Sequence, residues 1–224
     1  MRINKFVAQA SGLSRRAADE AIKAGRVTIN GQPAELGDDV DGEQFIRLDD
    51  RLLALSEDPE TIMLNKPTGY VCSRDGQGSL TVYDLLPARF GKLKLIGRLD
   101  KDSSGLILLT TDGDLANELT HPRYAKTKQY EVVLDKPLQP LHQQLINDHG
   151  IQLDDGRSQL QLEKLDDAAQ QWRVSMQEGR NRQIRRTFGA LGYTVKTLHR
   201  TVFGPYHLGE LSQGSYEAVA PSTR

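Results

Sequence analysis

Cysteine is almost absent: Cys72 is the only one in 224 residues, which excludes an intrachain disulfide and any zinc or iron–sulfur site built on several thiolates. Proline is sparse at 9 against 20 glycines, and neither forms a tract, so a collagen, a mucin-like stalk or wholesale disorder does not fit. No apolar run approaches the ~20 residues needed to span a bilayer. The opening Met1-Arg2-Ile3-Asn4-Lys5-Phe6 goes straight into an amphipathic pattern without the apolar stretch of a secretory signal, and a cytoplasmic location is expected. The five histidines, at 121, 142, 149, 199 and 207, contain no i, i+4 pair, and no metal site is expected.

Net charge is also lacking, at −1, but the sum hides segregation. Residues 1–30 carry +4, six basic against two acidic residues; residues 31–60 carry −8, two basic against ten acidic. A second basic block, residues 172–200, carries +6, seven basic against one acidic. Two basic islands separated by acid fit a polyanion-binding protein kept soluble by its remainder; ordinary solvated helix faces are the alternative.

The first 30 residues read as two short helices and a turn. Ile3, Phe6, Val7 and Ala10 form one apolar stripe, stopped by Ser11-Gly12. Ser14 offers an N-cap, and Ala17, Ala18, Ala21 and Ile22 repeat the stripe until Gly25. Val27-Thr28-Ile29 alternates like a strand and runs into Asn30-Gly31, a strong hairpin signal. Ser56-Glu57-Asp58-Pro59-Glu60 looks like a linker, and beyond it the texture becomes strand-rich. Strands are expected at 61–65, 69–73, 105–110, 129–134, 172–176 and 194–197, with helices at 115–120 and from about 181, where Ile184, Phe188 and Leu191 mark a buried side. The fold class expected is α+β: a small helical and hairpin module, then a mixed, largely antiparallel sheet with covering helices.

Two constellations could carry chemistry. Gly97-Arg98-Leu99-Asp100-Lys101-Asp102-Ser103-Ser104-Gly105-Leu106 is a polar loop fixed to a buried strand, where catalytic groups are often held, although Asp and Gly are also ordinary turn residues. Glu178-Gly179-Arg180-Asn181-Arg182-Gln183-Ile184-Arg185-Arg186 places Arg185 beside the buried side of a helix, and a partly buried arginine needs an anion. An exposed basic helix is the alternative there.

Asn65-Lys66-Pro67, the loop 97–100 continuing as Asp102-Ser103-Ser104-Gly105-Leu106, Lys128-Gln129-Tyr130, and the run 181–186 occur in the order and approximate spacing of the pseudouridine synthases. The chain resembles the RsuA branch of that family, which includes the RluB, RluE and RluF types, and residues 1 to about 45 resemble the RNA-binding module shared with ribosomal protein S-four, the alpha-L motif. The resemblance implies a module at 1–48, a linker at 49–60 and a catalytic domain at 61–224. It implies conversion of a uridine in RNA to its C-glycoside isomer: the N-glycosidic bond breaks, the uracil rotates, and C5 bonds to the ribose. That scheme requires no metal or organic cofactor, in keeping with the missing P-loop and dinucleotide fingerprint.

Residue by residue, the resemblance makes Asp100 the essential aspartate, acting as nucleophile or base on the sugar. Arg185 is its basic partner, Tyr130 the aromatic that stacks on the target base, and Arg98 the side chain that fills the space left by the extruded nucleotide. Lys5, Arg15, Arg16, Lys23, Arg182 and Arg186 are expected to contact RNA. The 181–186 string looks more like the large-subunit rRNA enzymes, whereas Thr187-Phe188 departs from the methionine usual after the double arginine. The expected partner is ribosomal RNA or a ribosomal precursor particle, acted on by a monomer. A non-catalytic RNA-binding assembly or stress factor is the rival reading, and a metal-free hydrolase using Asp100 and Asp102 as a carboxylate pair is a weak third.

Overall fold

Helix formation at the N-terminus follows the apolar stripe closely. In the computed structural model, which describes residues 1–55 and 59–220, α1 (Ile3–Ser11) buries Ile3, Phe6 and Val7 and stops at Gly12, whose φ of 81° is left-handed. Helix α2 (Arg15–Lys23) is capped by Ser14, whose side chain accepts the Ala17 N–H at 3.1 Å. Strands β1 (Val27–Ile29) and β2 (Gln32–Pro33) are joined by Asn30 and Gly31, both at positive φ as a type I′ turn requires. Next come β3 (Ile46–Leu48) and β4 (Arg51–Leu52), giving an antiparallel sheet in the order β2-β1-β3-β4. Ile3, Phe6, Val7, Ala18, Ile22, Val27 and Ile46 make its core, and each fully buried aliphatic or aromatic chain among them contributes about 1.5–3 kcal/mol. The linker expected at 49–60 falls partly on residues 56–58, outside the described residues; β4 lies within its first part.

The described residues divide by backbone proximity into two units. Those up to Glu60, with 92–94 and 110–113, form the first, and the others form the second. The remaining elements are β5 (Thr61–Lys66), β6 (Lys94–Ile96), β7 (Ser104–Thr110), α3 (Gly113–Thr120), β8 (Lys128–Leu134), α4 (Pro140–Gln144), β9 (Ile151–Leu153), β10 (Gly156–Ser158), β11 (Gln161–Lys164), β12 (Gln171–Met176), α5 (Gln183–Ala190), β13 (Val195–Phe203), β14 (Tyr206–His207) and β15 (Tyr216–Ala218). Nine of the strands form one sheet with the path β11-β12-β8-β13-β7-β5-β15, while β14 pairs with β13 and β6 with β7. β13 runs antiparallel to β8 and parallel to β7, so the fold is α+β with a mixed, mostly antiparallel sheet. Met63, Ile96, Leu106, Leu108, Leu115, Leu119 and Phe203 form a core on it.

One expected strand is absent. At 69–73 only Val71 makes a bridge, to Thr81. Gly69 turns the chain at φ 91°, its N–H donates to Lys101 O at 2.7 Å, and Cys72 Sγ accepts the Leu99 N–H at 3.3 Å. These groups bond to the loop around Asp100 instead of extending a sheet. The antiparallel hairpin β9–β10 lies outside the expected strands; Ile151 and Leu153 alternate inward ahead of an Asp154-Asp155 turn, after which Gly156 pairs with Leu153.

Candidate active site

Asp100 sits in the turn before β7, whose Leu106-Ile107-Leu108-Leu109 run is wholly buried, so the strand anchors the loop. Ser103 N–H closes that turn on Asp100 O at 3.1 Å. Lys66, at the end of β5 and without exposed surface, donates from Nζ to Pro67 O (2.9 Å), Asp100 O (3.1 Å) and Ser103 O (2.6 Å). Burial lowers its pKa, and the carboxylates of Asp100 and Asp102 work against that shift. Lys66 thus ties two carbonyls of the loop, those of Asp100 and Ser103, to the sheet. Gly105 lets the sheet close beside it: at φ 102°, a Cβ there would stand 2.3 Å from Arg200 O.

The loop faces a cavity of about 1180 Å³, also lined by Arg98, Lys128, Tyr130, Arg182 and Arg200. Tyr130 is 7% exposed in β8, directly across from Arg200 in β13. Arg98 is exposed at the cavity wall. The Asp100 side chain is 31% exposed, with Arg182 Nη1 at 3.4 Å from Oδ2.

That last contact corrects an expectation. The cation beside Asp100 is Arg182, and Arg185 lies behind the loop: Nε is 3.4 Å from Asp102 Oδ2, Nη2 donates to Asp102 O (2.8 Å) and Nη1 to Val195 O (2.8 Å). The reason is how α5 begins. Arg182 caps it in a left-handed conformation (φ 46°). Residues three apart share a helix face, so both arginines meet the loop, with the N-terminal one at Asp100. Arg182 also forks onto both oxygens of Asp102 at 2.9 Å. That fork, with Arg185 adding more weakly, holds the Asp102 carboxyl below its ordinary range.

The other expected RNA contacts are spread out. Arg186 forks onto Asp155 of the β9–β10 turn at 3.0 and 2.7 Å, where Arg180 also donates at 2.7 Å. Thr187, fully buried, donates to Ser158 Oγ at 2.7 Å, which together with Gln183 fastens α5 to that hairpin. In the first unit Arg15 donates to Asn4 Oδ1 at 3.2 Å, Arg16 and Lys23 are exposed, and Lys5 is half-buried. Lys66 and Lys128 stand in the motifs and Arg200 in the basic block without any expected role, and Asp102 is expected only as half of the weak hydrolase pair. Only Lys128 had a legible signal, since it stands two residues before Tyr130 and therefore on the same strand face. Among the described residues no group of three or more His, Cys, Asp or Glu side chains could hold a metal ion, and no helix is long and apolar enough to cross a membrane.

A mixed sheet thus carries an aspartate loop, a tyrosine strand and an arginine helix around one cavity. The RNA pseudouridylate synthase family description matches residues 60–190, and the S4 domain matches residues 1–46. The ribosomal large subunit pseudouridine synthase B of Pseudomonas aeruginosa is 37% identical over 97% of this chain, which spans 59% of that enzyme's length. The ribosomal small subunit pseudouridine synthase A of Haemophilus influenzae is also 37% identical, over 99% of this chain and 97% of its own. A crystal structure of a pseudouridylate synthase, 35% identical, superposes with a TM-score of 0.71, covering 99% of this chain and 97% of that one. The chain belongs to the RNA pseudouridylate synthase family.

Proposed function

We propose that this protein isomerises a uridine of large-subunit ribosomal RNA to pseudouridine, acting as a cytoplasmic monomer. The observation that carries the reading is the convergence of Asp100 and Tyr130 on one cavity beside Arg182. In this reading Asp100 attacks the anomeric carbon or takes a ribose proton, Tyr130 stacks on the base, and Arg98 enters the space of the extruded nucleotide. Arg182 sits beside the Asp100 carboxylate and orients it, and Arg185 acts through the loop as a positioning residue. Residues 1–48 serve as the RNA-binding module, with Lys5, Arg15, Arg16 and Lys23 toward phosphate, and 61–224 as the catalytic domain; Arg186 reaches RNA once released from Asp155. Support for the large subunit comes from the 181–186 string and the P. aeruginosa relative's name. The H. influenzae relative's name favours the small subunit as second reading.

The test is a map of pseudouridine in ribosomal RNA from cells with and without the gene, complemented by wild type or Asp100→Asn. One large-subunit site should vanish with the gene and return with wild type alone. Loss in the small subunit selects the second reading. An unchanged map sinks the enzyme in favour of a non-catalytic RNA-binding factor.

A further inference from the structure

Lys128 and Arg200, two of the cations lining the cavity, make no ion pair among the described residues. Lys128 begins β8 and shares a face with Tyr130; across the strand pair, Arg200 stands opposite Tyr130 and Phe203 opposite Lys128. The Arg200 side chain is 2% exposed, its Nε donates to Leu106 O at 2.8 Å, and its Nη2 has no hydrogen-bond partner among the described residues. Its guanidinium carbon lies 4.6 Å from the Phe203 ring centre, and Lys128 Nζ lies 5.5 Å from the same point. Lys128 donates only to the carbonyls of Gln177 (3.2 Å) and Lys126 (3.5 Å). Among the described residues neither cation is ion-paired, and Asp100 already has Arg182 beside it.

Such a pair is costly: each charge is partly stripped of water, and each repels the other. Burial first, then Arg200, lowers the Lys128 pKa, with Glu178 opposing. The arrangement makes sense if an anion arrives during turnover. Both routes open to Asp100 supply one. In the first, Asp100 Oδ bonds to C1′ as the C1′–N1 bond breaks and its electron pair goes to the base. Later, C5 bonds to C1′, the pair of the C1′–Oδ bond returns to the carboxylate, and the C5 proton passes through solvent to N1. In the second, Asp100 takes the C2′ proton, the C–H pair becomes a C1′–C2′ double bond, and the C1′–N1 pair again goes to the base. Either way, a negative charge leaves Asp100 and appears on the uracil, delocalised onto its oxygens.

We propose that Lys128 and Arg200 form an oxyanion subsite that holds the negative charge of the cleaved uracil, a step resting on the isomerase reading above. Arg200 is the cross-strand neighbour of Tyr130, with Cβ atoms about 5 Å apart, so it lies beneath a base stacked there. Cations fixed in place and without a carboxylate partner among the described residues favour the charge-shifted state over the ground state, and that difference accelerates the reaction.

The experiment compares wild type, Lys128→Met, Lys128→Arg and Asp100→Asn in the full chain. It uses ribosomal RNA transcripts made with uridine or with 5-fluorouridine, whose electron-poor base leaves more readily. Single-turnover loss of the target N-glycoside is followed at saturating RNA, with Kd measured separately and folding checked by urea titration. Lys128 is half-exposed at a strand end, so its replacement spares the core. Lys128→Met should lower the rate by about 10²–10³-fold, as loss of one oxyanion donor does. Kd should change less than about threefold, Lys128→Arg should recover most of the rate, and the deficit should shrink on the fluorinated transcript. A raised Kd with an unchanged rate would make the subsite a phosphate site and overturn the proposal. An equal deficit on both transcripts would make Lys128 merely structural, and so would failure of Lys128→Arg to recover rate. Activity in Asp100→Asn would instead remove the isomerase reading beneath it, whereas an inactive Asp100→Asn with full-rate Lys128→Met sinks the subsite alone.

Discussion

Gly105→Ala probes how tightly the sheet closes beside the aspartate loop. The new Cβ would meet Arg200 O at 2.3 Å and Arg200 N at 2.5 Å, and both are backbone atoms of a central strand that cannot rotate away. A left-handed conformation costs an L-residue about 1–2 kcal/mol, and forcing a methyl into a filled site costs about 1–3 kcal/mol more. Together these give about 2–5 kcal/mol. At a urea slope near 2 kcal/mol/M, the unfolding midpoint should fall by about 1–2.5 M. Trp172, 1% exposed in β12, reports the transition through its fluorescence. Gly189→Ala is the internal contrast: Gly189 lies within α5 with nothing inside 4 Å of a built Cβ and an ordinary φ, so alanine should stabilise by about 0.4–1 kcal/mol. A loss below about 0.5 kcal/mol in Gly105→Ala would refute the argument, because β7 and β13 would then be free to separate.

Other perturbations follow from the charges. Asp102 is held below its ordinary pKa, so its contribution to stability is present above about pH 4, where the unfolded carboxyl ionises, and is lost as pH falls through the folded value. Urea midpoints at pH 6 and pH 3.5 should therefore differ less in Asp102→Asn than in wild type. His199, bonded to Ser104 Oγ at 2.9 Å, has its pKa lowered by burial, with Glu131 opposing. Its stabilisation is full above about pH 6.5 and declines as pH falls toward the folded value, so His199→Gln should flatten the melting temperature between pH 7.5 and 5.5, and an unaltered slope would count against its burial. Arg16→Gln with Lys23→Gln should make the plot of log affinity for ribosomal RNA against log salt shallower by about 0.7–0.9 per lost phosphate contact; an identical slope means these side chains do not touch phosphate.

What the sequence revealed depended on how local each cause was. Helices α1 and α2 were legible because their stripes, Ser14 and Gly12 are neighbours in the chain. The same holds for Asn30-Gly31 between β1 and β2. Gly69–Ser73 misled because Tyr70 and Val71 suit a strand, whereas a distant loop claims the backbone groups of Gly69. The β9–β10 hairpin is hard to read because its strands are three residues long and half polar and its turn is Asp154-Asp155. At the site, Asp100 and Tyr130 could be proposed from their motifs. The pairing of Asp100 with Arg182 could not, because it depends on the left-handed backbone of Arg182. Arg200 was hidden as one more basic residue in a charged block, and only the register against Tyr130 gives it a place.

The position of β13 in the sheet has a consequence for synthesis. Its parallel partner β7 is made far earlier: His199, which pairs with Ser104, lies 95 residues downstream. At about 5–20 residues per second, roughly 5–20 s pass before the partner emerges. Throughout that interval the Leu106-Ile107-Leu108-Leu109 segment presents a bare, greasy edge on a nascent chain, and β8 likewise waits for its neighbour. The protein is thus most vulnerable to misassembly while still being translated, a burden that falls on chaperones at the ribosome.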